Sequence, residues 1–142
     1  MRVASLAQLH LFRRGHKPER PKPALEFKTA CAFADTLRQC AKPDWLWTHF
    51  PAGELRSKAT GARLKRMGTR AGMPDYVFVS PDTGQAYFLE LKRGNAPLTP
   101  EQETFRDWCH TVRAPWHCAR SYDDAIAIVT AWGVLKREVR PQ

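Results

Sequence analysis

The chain contains few cysteines and no long apolar run. Its 142 residues include four cysteines, which are widely spaced and form no Cys-X-X-Cys pair. This spacing argues against a structural zinc site and a secreted disulfide scaffold, so we expect core or half-buried thiols. No apolar stretch approaches the roughly 18 residues that a membrane-spanning helix needs. We therefore expect neither a signal peptide nor an anchor, and a cytoplasmic protein.

Acidic residues are also scarce relative to basic ones, 14 against 23, and the formal net charge is +9. Such a balance suits a polyanionic partner, because neutralising phosphates releases condensed counterions. Six basic residues crowd a segment that contains no acid: Arg56, Lys58, Arg63, Lys65, Arg66 and Arg70. We expect this segment to contact nucleic-acid phosphates, and the alternative is a solvated basic face.

The length is that of one domain, and a hydrophobic content of 43% is enough for one core. Residues 1–24 are basic and rich in proline, which predicts a flexible arm, and residues 136–142 form a short charged tail. The folded domain is expected at 25–135. Its five tryptophans fall where core packing explains them, rather than where they would stack on bases.

Hydrophobic periodicity and turn residues predict an α-β-β-β-α-β order of elements, followed by a last helix. Helices are predicted at 25–41, 99–112 and 121–132, strands near 45–49, 75–79, 86–92 and 116–120, and a basic loop or helix at 55–67.

A hairpin is predicted around a Pro-Asp-Thr-Gly turn, between two runs of aromatic and β-branched residues. If its strands pair symmetrically about this turn, Asp75 faces Glu90. Facing carboxylates are destabilising unless they share a proton or a cation. Alternation along the second strand puts Glu90 and Lys92 on one face. A β-bulge would shift this register, and an exposed hairpin would leave the three side chains merely solvated.

The first predicted helix places another acid on its apolar side. Its apolar residues recur at intervals of three and four: Phe27, Ala30, Phe33, Ala34, Leu37 and Ala41. Glu26 lies in that stripe, and an unpaired buried carboxylate would be costly. Glu26 therefore has either a functional role or a place in the first helical turn, where the helix dipole favours negative charge.

These residues together carry a family resemblance. Asp75, the triplet Glu90-Leu91-Lys92, Glu26 and the downstream Gln102 resemble the signature of PD-(D/E)XK nucleases. More narrowly, the chain resembles the VRR-NUC family, the virus-type replication-repair nucleases, over about residues 25–133. The matching segments are 63–68, 72–75, 88–92, 98–102 and the helix beginning at Ser121. The resemblance implies a restriction-endonuclease-like α/β core with a mixed central sheet flanked by helices, which the predicted element order also favours.

The resemblance implies a role for each matching residue. Asp75, Glu90 and the main-chain carbonyl of Leu91 would hold Mg²⁺ or Mn²⁺, with Glu26 completing the site. Oxygen ligands suit these ions, which supply the chemistry of phosphodiester hydrolysis. Lys92 would orient or help to deprotonate the attacking water. Gln102 is explained as the third residue of a capping box that begins at Thr99, and the resemblance also implies that it lies near the acids.

The expected function is thus a metal-dependent DNA endonuclease. Resemblance to Holliday junction resolvases implies branched DNA as the substrate and a homodimer as the active form. One alternative is a catalytically silent DNA-binding module with the nuclease fold, and another is an RNA-directed or general nucleic-acid-binding protein.

Overall fold

The computed structural model describes residues 25–51 and 57–136. Its helices are α1 (Leu25–Cys40), α2 (Lys58–Arg66), α3 (Pro100–Val112) and α4 (Tyr122–Ala131). Its strands are β1 (Leu46–His49), β2 (Tyr76–Val79), β3 (Ala86–Leu91) and β4 (Trp116–Ala119). This order confirms the predicted one, and the basic segment forms a helix. The predicted arm at 1–24 and residues 137–142 of the predicted tail lie outside the described residues.

The four strands form one mixed sheet in the order β1-β2-β3-β4. β1 pairs antiparallel with β2, β2 antiparallel with β3, and β3 parallel with β4. Tyr76 pairs with Leu89 and Val79 with Ala86, which confirms the predicted hairpin register. With helices flanking the sheet, the architecture is an α/β restriction-endonuclease-like core.

One face of the sheet forms the main core with α1 and α4. Phe33 of α1 meets Tyr76 edge to face, with ring centroids 5.1 Å apart. Leu89 of β3 and Val129 of α4 are fully buried in the same cluster. Burying each such side chain contributes about 1.5–3 kcal/mol. The regular spacing of apolar residues on α1 therefore forms the helix face that closes this core.

Two sequence expectations about packing are wrong. Phe27, predicted in the apolar stripe of α1, is 62% exposed, because the packed part of that helix begins at Ala30. Trp108, predicted in the core, is 52% exposed on α3. The Trp108 ring lies beside the ring of Phe105, at a centroid distance of 5.7 Å.

The cysteines are all free thiols in the described part of the chain. Cys109 is buried, and Cys40 and Cys118 are half-buried, as predicted for core or half-buried thiols. Cys31 is exposed, which corrects that prediction, because it is not among the residues of α1 that pack in the core. None of the described helices is long and apolar enough to cross a membrane.

The opposite face of the sheet is covered by α3. Phe105 of α3 contacts Phe88 of β3 edge to face, with centroids 5.1 Å apart. Cys109, one turn further along α3, is completely buried. Since side chains alternate along β3, Glu90 points to the same side as Phe88 and lies beneath the start of α3.

Candidate active site

Two acidic residues come together where β2 begins and β3 ends. Asp75 directly precedes β2, and continuing the hairpin register by one step sets it beside Glu90. The Oδ2 atom of Asp75 accepts a hydrogen bond of 2.7 Å from the backbone N–H of Leu91. The carbonyl of Asp75 accepts another, of 2.8 Å, from the backbone N–H of Phe50. Both the backbone and the carboxylate of Asp75 are therefore held in place.

Glu90 is only 3% exposed, which excludes the solvated hairpin that the sequence left open. Its Oε1 atom accepts a hydrogen bond of 2.7 Å from Nε2 of Gln102. The Nζ atom of Lys92 lies 3.8 Å from the same oxygen, and the lysine side chain is 15% exposed. A buried carboxylate is costly without partners, and Glu90 has a hydrogen-bond donor and a cation.

Gln102 combines the two roles that the sequence could not separate. Its Oε1 atom accepts a hydrogen bond of 2.9 Å from the backbone N–H of Thr99, whose hydroxyl accepts one from the N–H of Gln102. This reciprocal pair is the predicted capping box of α3. Because the amide oxygen is occupied at Thr99, the amide NH₂ is directed at Glu90. The helix cap thus orients the side chain that holds the carboxylate.

Gly72 allows the loop after α2 to lie close to the first turn of α3. Gly72 has φ +82°, a left-handed conformation that favours glycine. A Cβ atom at this position would overlap the backbone carbonyl of Glu101 in the first turn of α3. This close approach packs the Gly72-Met73-Pro74-Asp75 segment against the helix that carries Gln102.

The surroundings of the acids shift two neighbouring pKa values. Burial, with a smaller contribution from Asp75, raises the pKa of Tyr76 to about 12. The neutral Tyr76 hydroxyl donates a 3.2 Å hydrogen bond to the carbonyl of Ala30, which ties β2 to α1. Burial also raises the pKa of Cys118, which pairs with Glu90 in the parallel register, so this neighbour stays a neutral thiol.

The predicted phosphate-contacting residues lie mostly on α2, which contains no buried residue. Ser57 caps this helix by accepting a hydrogen bond of 3.1 Å from the backbone N–H of Thr60. Four predicted contacts are on the helix and Arg70 follows it, all of them exposed: Lys58, Arg63, Lys65, Arg66 and Arg70. Arg56, the sixth, lies outside the described residues.

The structure thus brings Asp75, Glu90, Lys92 and Gln102 together. Glu26 belongs to the first turn of α1, but its side chain lies outside the described part of the structure, so its role stays a prediction. Sequence reasoning missed Arg120, which follows β4 and lines a cavity beside Lys92. Its position directly after a strand, before the Ser121 helix cap, was the available signal.

The donor set fits a hard divalent cation. Asp75, Glu90 and the Leu91 carbonyl offer oxygen only, which Mg²⁺ and Mn²⁺ prefer. Across the described side chains, no group of three or more His, Cys, Asp or Glu residues is placed to hold a metal ion. Mg²⁺ commonly takes one or two carboxylates and keeps several waters, so two acids are compatible with it.

Comparison with known proteins supports the fold. No family model matches the sequence, and no curated protein matches it. The fold matches a solved structure named "VRR_NUC domain protein" with a TM-score of 0.62, at 20% identity. The match covers 78% of this chain and 89% of that one. At this identity the likeness concerns the fold alone, and the chain has the VRR-NUC type of nuclease fold.

Proposed function

We propose that this chain is a metal-dependent DNA endonuclease that hydrolyses phosphodiester bonds. The observation that carries the proposal is the cluster of Asp75, Glu90, Lys92 and Gln102 at one edge of a nuclease-type fold, in which Glu90 accepts a hydrogen bond from Gln102 and forms an ion pair with Lys92. A group of this composition has no evident structural purpose, because a buried carboxylate with a second acid beside it weakens a fold unless a cation compensates their charge.

Three groups would hold the ion: the carboxylates of Asp75 and Glu90 and the carbonyl of Leu91, with Glu26 as a further acid. When bound, Mg²⁺ or Mn²⁺ supplies a Lewis acid that activates water and offsets charge on the phosphate oxygens. The protein's own part is to present both carboxylates in one orientation. Asp75 is held by the Leu91 N–H and Glu90 by the Gln102 amide.

Lys92 has the chemistry needed beside the reacting phosphate. Its ammonium group carries three donors and a fixed positive charge, and the Glu90 carboxylate keeps it at the site. We assign it the orientation of the attacking water and the stabilisation of negative charge that develops on the phosphate oxygens. Because the side chain is mostly buried, this charge acts with little solvent screening.

The exposed basic helix α2 is proposed as the surface that contacts the DNA backbone. Its four basic residues and Arg70, which follows it, lead along the chain into the Gly72 loop and on to Asp75. Contacts to phosphates position a duplex without reading its sequence. We further propose branched DNA as the substrate and a homodimer as the active form, since a symmetric dimer presents two sites to a symmetric junction.

The experiment that tests the proposal is cleavage of labelled linear duplex, flap and four-way-junction DNA with Mg²⁺, Mn²⁺ or EDTA. The wild-type chain is compared with Asp75→Asn, which keeps the shape of the side chain but removes its charge. We expect ion-dependent cuts in the wild type that the variant loses, with paired nicks on the junction. Absence of cuts on every DNA tested would contradict the proposal.

A second candidate is a DNA-binding module without turnover. The observation that favours it is that α2 is basic and exposed independently of the acidic group. In that case the wild type and Asp75→Asn would bind all three DNA forms equally, and neither would cut them.

A further inference from the structure

A cavity of ≈ 180 Å³ opens beside the candidate active site, at the carboxyl ends of the parallel strands β3 and β4. Ligands of open α/β sheets bind in this position, outside the carboxyl ends of the strands. Three basic and three hydroxyl-bearing residues line it: Lys92, Arg93, Arg120, Thr29, Ser121 and Tyr122. None of the described residues that line it is acidic.

Arg120 is fixed at the edge of this cavity. Its Nη1 atom donates hydrogen bonds of 2.7 Å to the carbonyl of Gly94 and 2.8 Å to that of Ala96. A guanidinium has five N–H donors, and these two contacts use one nitrogen atom. The carboxylate of nearby Asp124 accepts a 3.1 Å hydrogen bond from the backbone N–H of Arg120.

The size and lining of the cavity select the ligand class. Its volume is below the roughly 300–1,000 Å³ of pockets that hold drug-sized ligands. A sugar-phosphate unit would fit without its base. The buried side chains of Leu91 and Ala119 supply an apolar wall for the sugar, and an anchored arginine suits a phosphate.

We propose that this cavity binds the DNA phosphate next to the one that is cleaved, with Arg120 as its main cationic contact. The inference rests on the proposed function. Lys92 connects the two places, because it lines the cavity and its ammonium group lies 3.8 Å from Glu90. A strand that presents one phosphate to Asp75 and Glu90 would present its neighbour to Arg120.

The first test measures the salt dependence of binding to a short labelled duplex by fluorescence anisotropy, without divalent ions. We expect Arg120→Gln to lower the slope of log affinity against log salt by about one, the value for one lost phosphate contact. The matched control is Arg38→Gln, an exposed arginine of α1 that pairs with Asp35. Equal slopes for Arg120→Gln and Arg38→Gln would overturn the proposal.

Arg120→Gln also removes the hydrogen bonds to the carbonyls of Gly94 and Ala96, so a second pair of variants tests the cavity with Arg120 in place. Thr29→Asp and Thr29→Asn place side chains of the same shape in the cavity wall and differ only in charge. We expect Thr29→Asp to bind DNA at least severalfold more weakly than Thr29→Asn, since a carboxylate there repels a phosphate. Equal affinities of the two variants would contradict an anion in this cavity.

A scan with single methylphosphonates, each of which makes one phosphate neutral, then locates the contact. In the wild type we expect one position adjacent to the cut to weaken binding, and we expect Arg120→Gln to be insensitive at that position. Identical scans of the wild type and Arg120→Gln would overturn the proposal. It would also be overturned if Arg120→Gln weakened binding only to DNA that carries a terminal 5′-phosphate. Binding is read without divalent ions, so an absence of cleavage, which would overturn the proposed nuclease, is a separate result.

Discussion

Glu90 has two neighbours of different chemical character at one oxygen atom. The Gln102 amide donates to Oε1 at 2.7 Å, and the Lys92 ammonium lies 3.8 Å from it. The amide fixes the direction of the carboxylate, whereas the ammonium group balances its charge. These two effects can be separated experimentally, because Gln102 belongs to a helix cap and Lys92 does not.

Replacing Gln102 by Met removes the donor to Glu90 and half of the capping box. A hydrogen bond to a charged group contributes about 1.5–3 kcal/mol, so we expect single-turnover cleavage to fall roughly tenfold to a hundredfold. Thr99→Ala is the control, since it weakens the cap by about 1 kcal/mol and leaves the donor to Glu90 in place. Equal rate losses, with equal losses of stability in urea, would show that Gln102 only caps the helix.

The local part of this residue's role was predictable, and the long-range part was not. Thr99-Pro100-Glu101-Gln102 predicts a capping box because the two bonds join residues three apart. The contact with Glu90 depends on how α3 packs over the sheet, through Phe105 and Phe88. That packing joins distant parts of the chain, so the resemblance to a family indicated the contact and local pattern did not.

At the scale of elements, the segment before β2 links the basic helix to the acids. Gly72 lies against the first turn of α3, where only a residue without Cβ fits. Glycine loses more conformational freedom on folding than other residues, so its use here reflects the close approach. Displacement of this loop would move Asp75 on one side and Gln102 on the other.

We therefore expect Gly72→Ala to reduce both stability and cleavage. A left-handed alanine alone costs about 1–2 kcal/mol, and overlap with the Glu101 backbone adds to it. Gly84→Ala is the matched control, since Gly84 also has a positive φ of +69° but no atom within 4 Å of an added Cβ. Urea unfolding would contradict this account if the two variants were equally destabilised.

The second prediction for an element concerns α2. Because no residue of α2 is buried, Arg63→Gln, Lys65→Gln and Arg66→Gln together should leave the unfolding free energy nearly unchanged. If all three contact phosphates, the slope of log affinity against log salt falls by about 0.9 for each, or roughly 2.7 in total.

The control for α2 replaces three exposed basic residues at or after α1, Lys28, Arg38 and Lys42, by Gln. It changes the net charge by the same amount. A fall in slope of the same size in both triple variants would mean that overall charge, and not α2, attracts the DNA.

Elements with strong local signals were predicted well. The hairpin register followed from a turn with one clear centre, and β2 and β3 pair accordingly. The exposure of Trp108 was not predictable in the same way. Its spacing from Phe105 and Cys109 fits the buried side of α3, yet Cys109 is fully buried and Trp108 is 52% exposed, so the boundary of the covered surface depends on tertiary packing.

For the chain as a whole, the proposed homodimer can be tested through the mass of the protein in solution. We expect sedimentation equilibrium to give a mass of about twice the 16.2 kDa of one chain, since a two-fold pair of sites matches a two-fold junction. A mass of one chain, with single unpaired nicks on junctions, would contradict the dimer and leave the nuclease proposal standing.

We propose that Lys92 acts at a hydrolytic site rather than only in DNA binding. Its most direct test measures binding and single-turnover cleavage by Lys92→Met in the same preparation, with the exposed Lys42→Met as control. We expect Lys92→Met to have nearly unchanged DNA affinity and to cleave at least about a hundredfold more slowly, the usual cost of losing a transition-state contact. Parallel losses of binding and cleavage, or full activity, would contradict it.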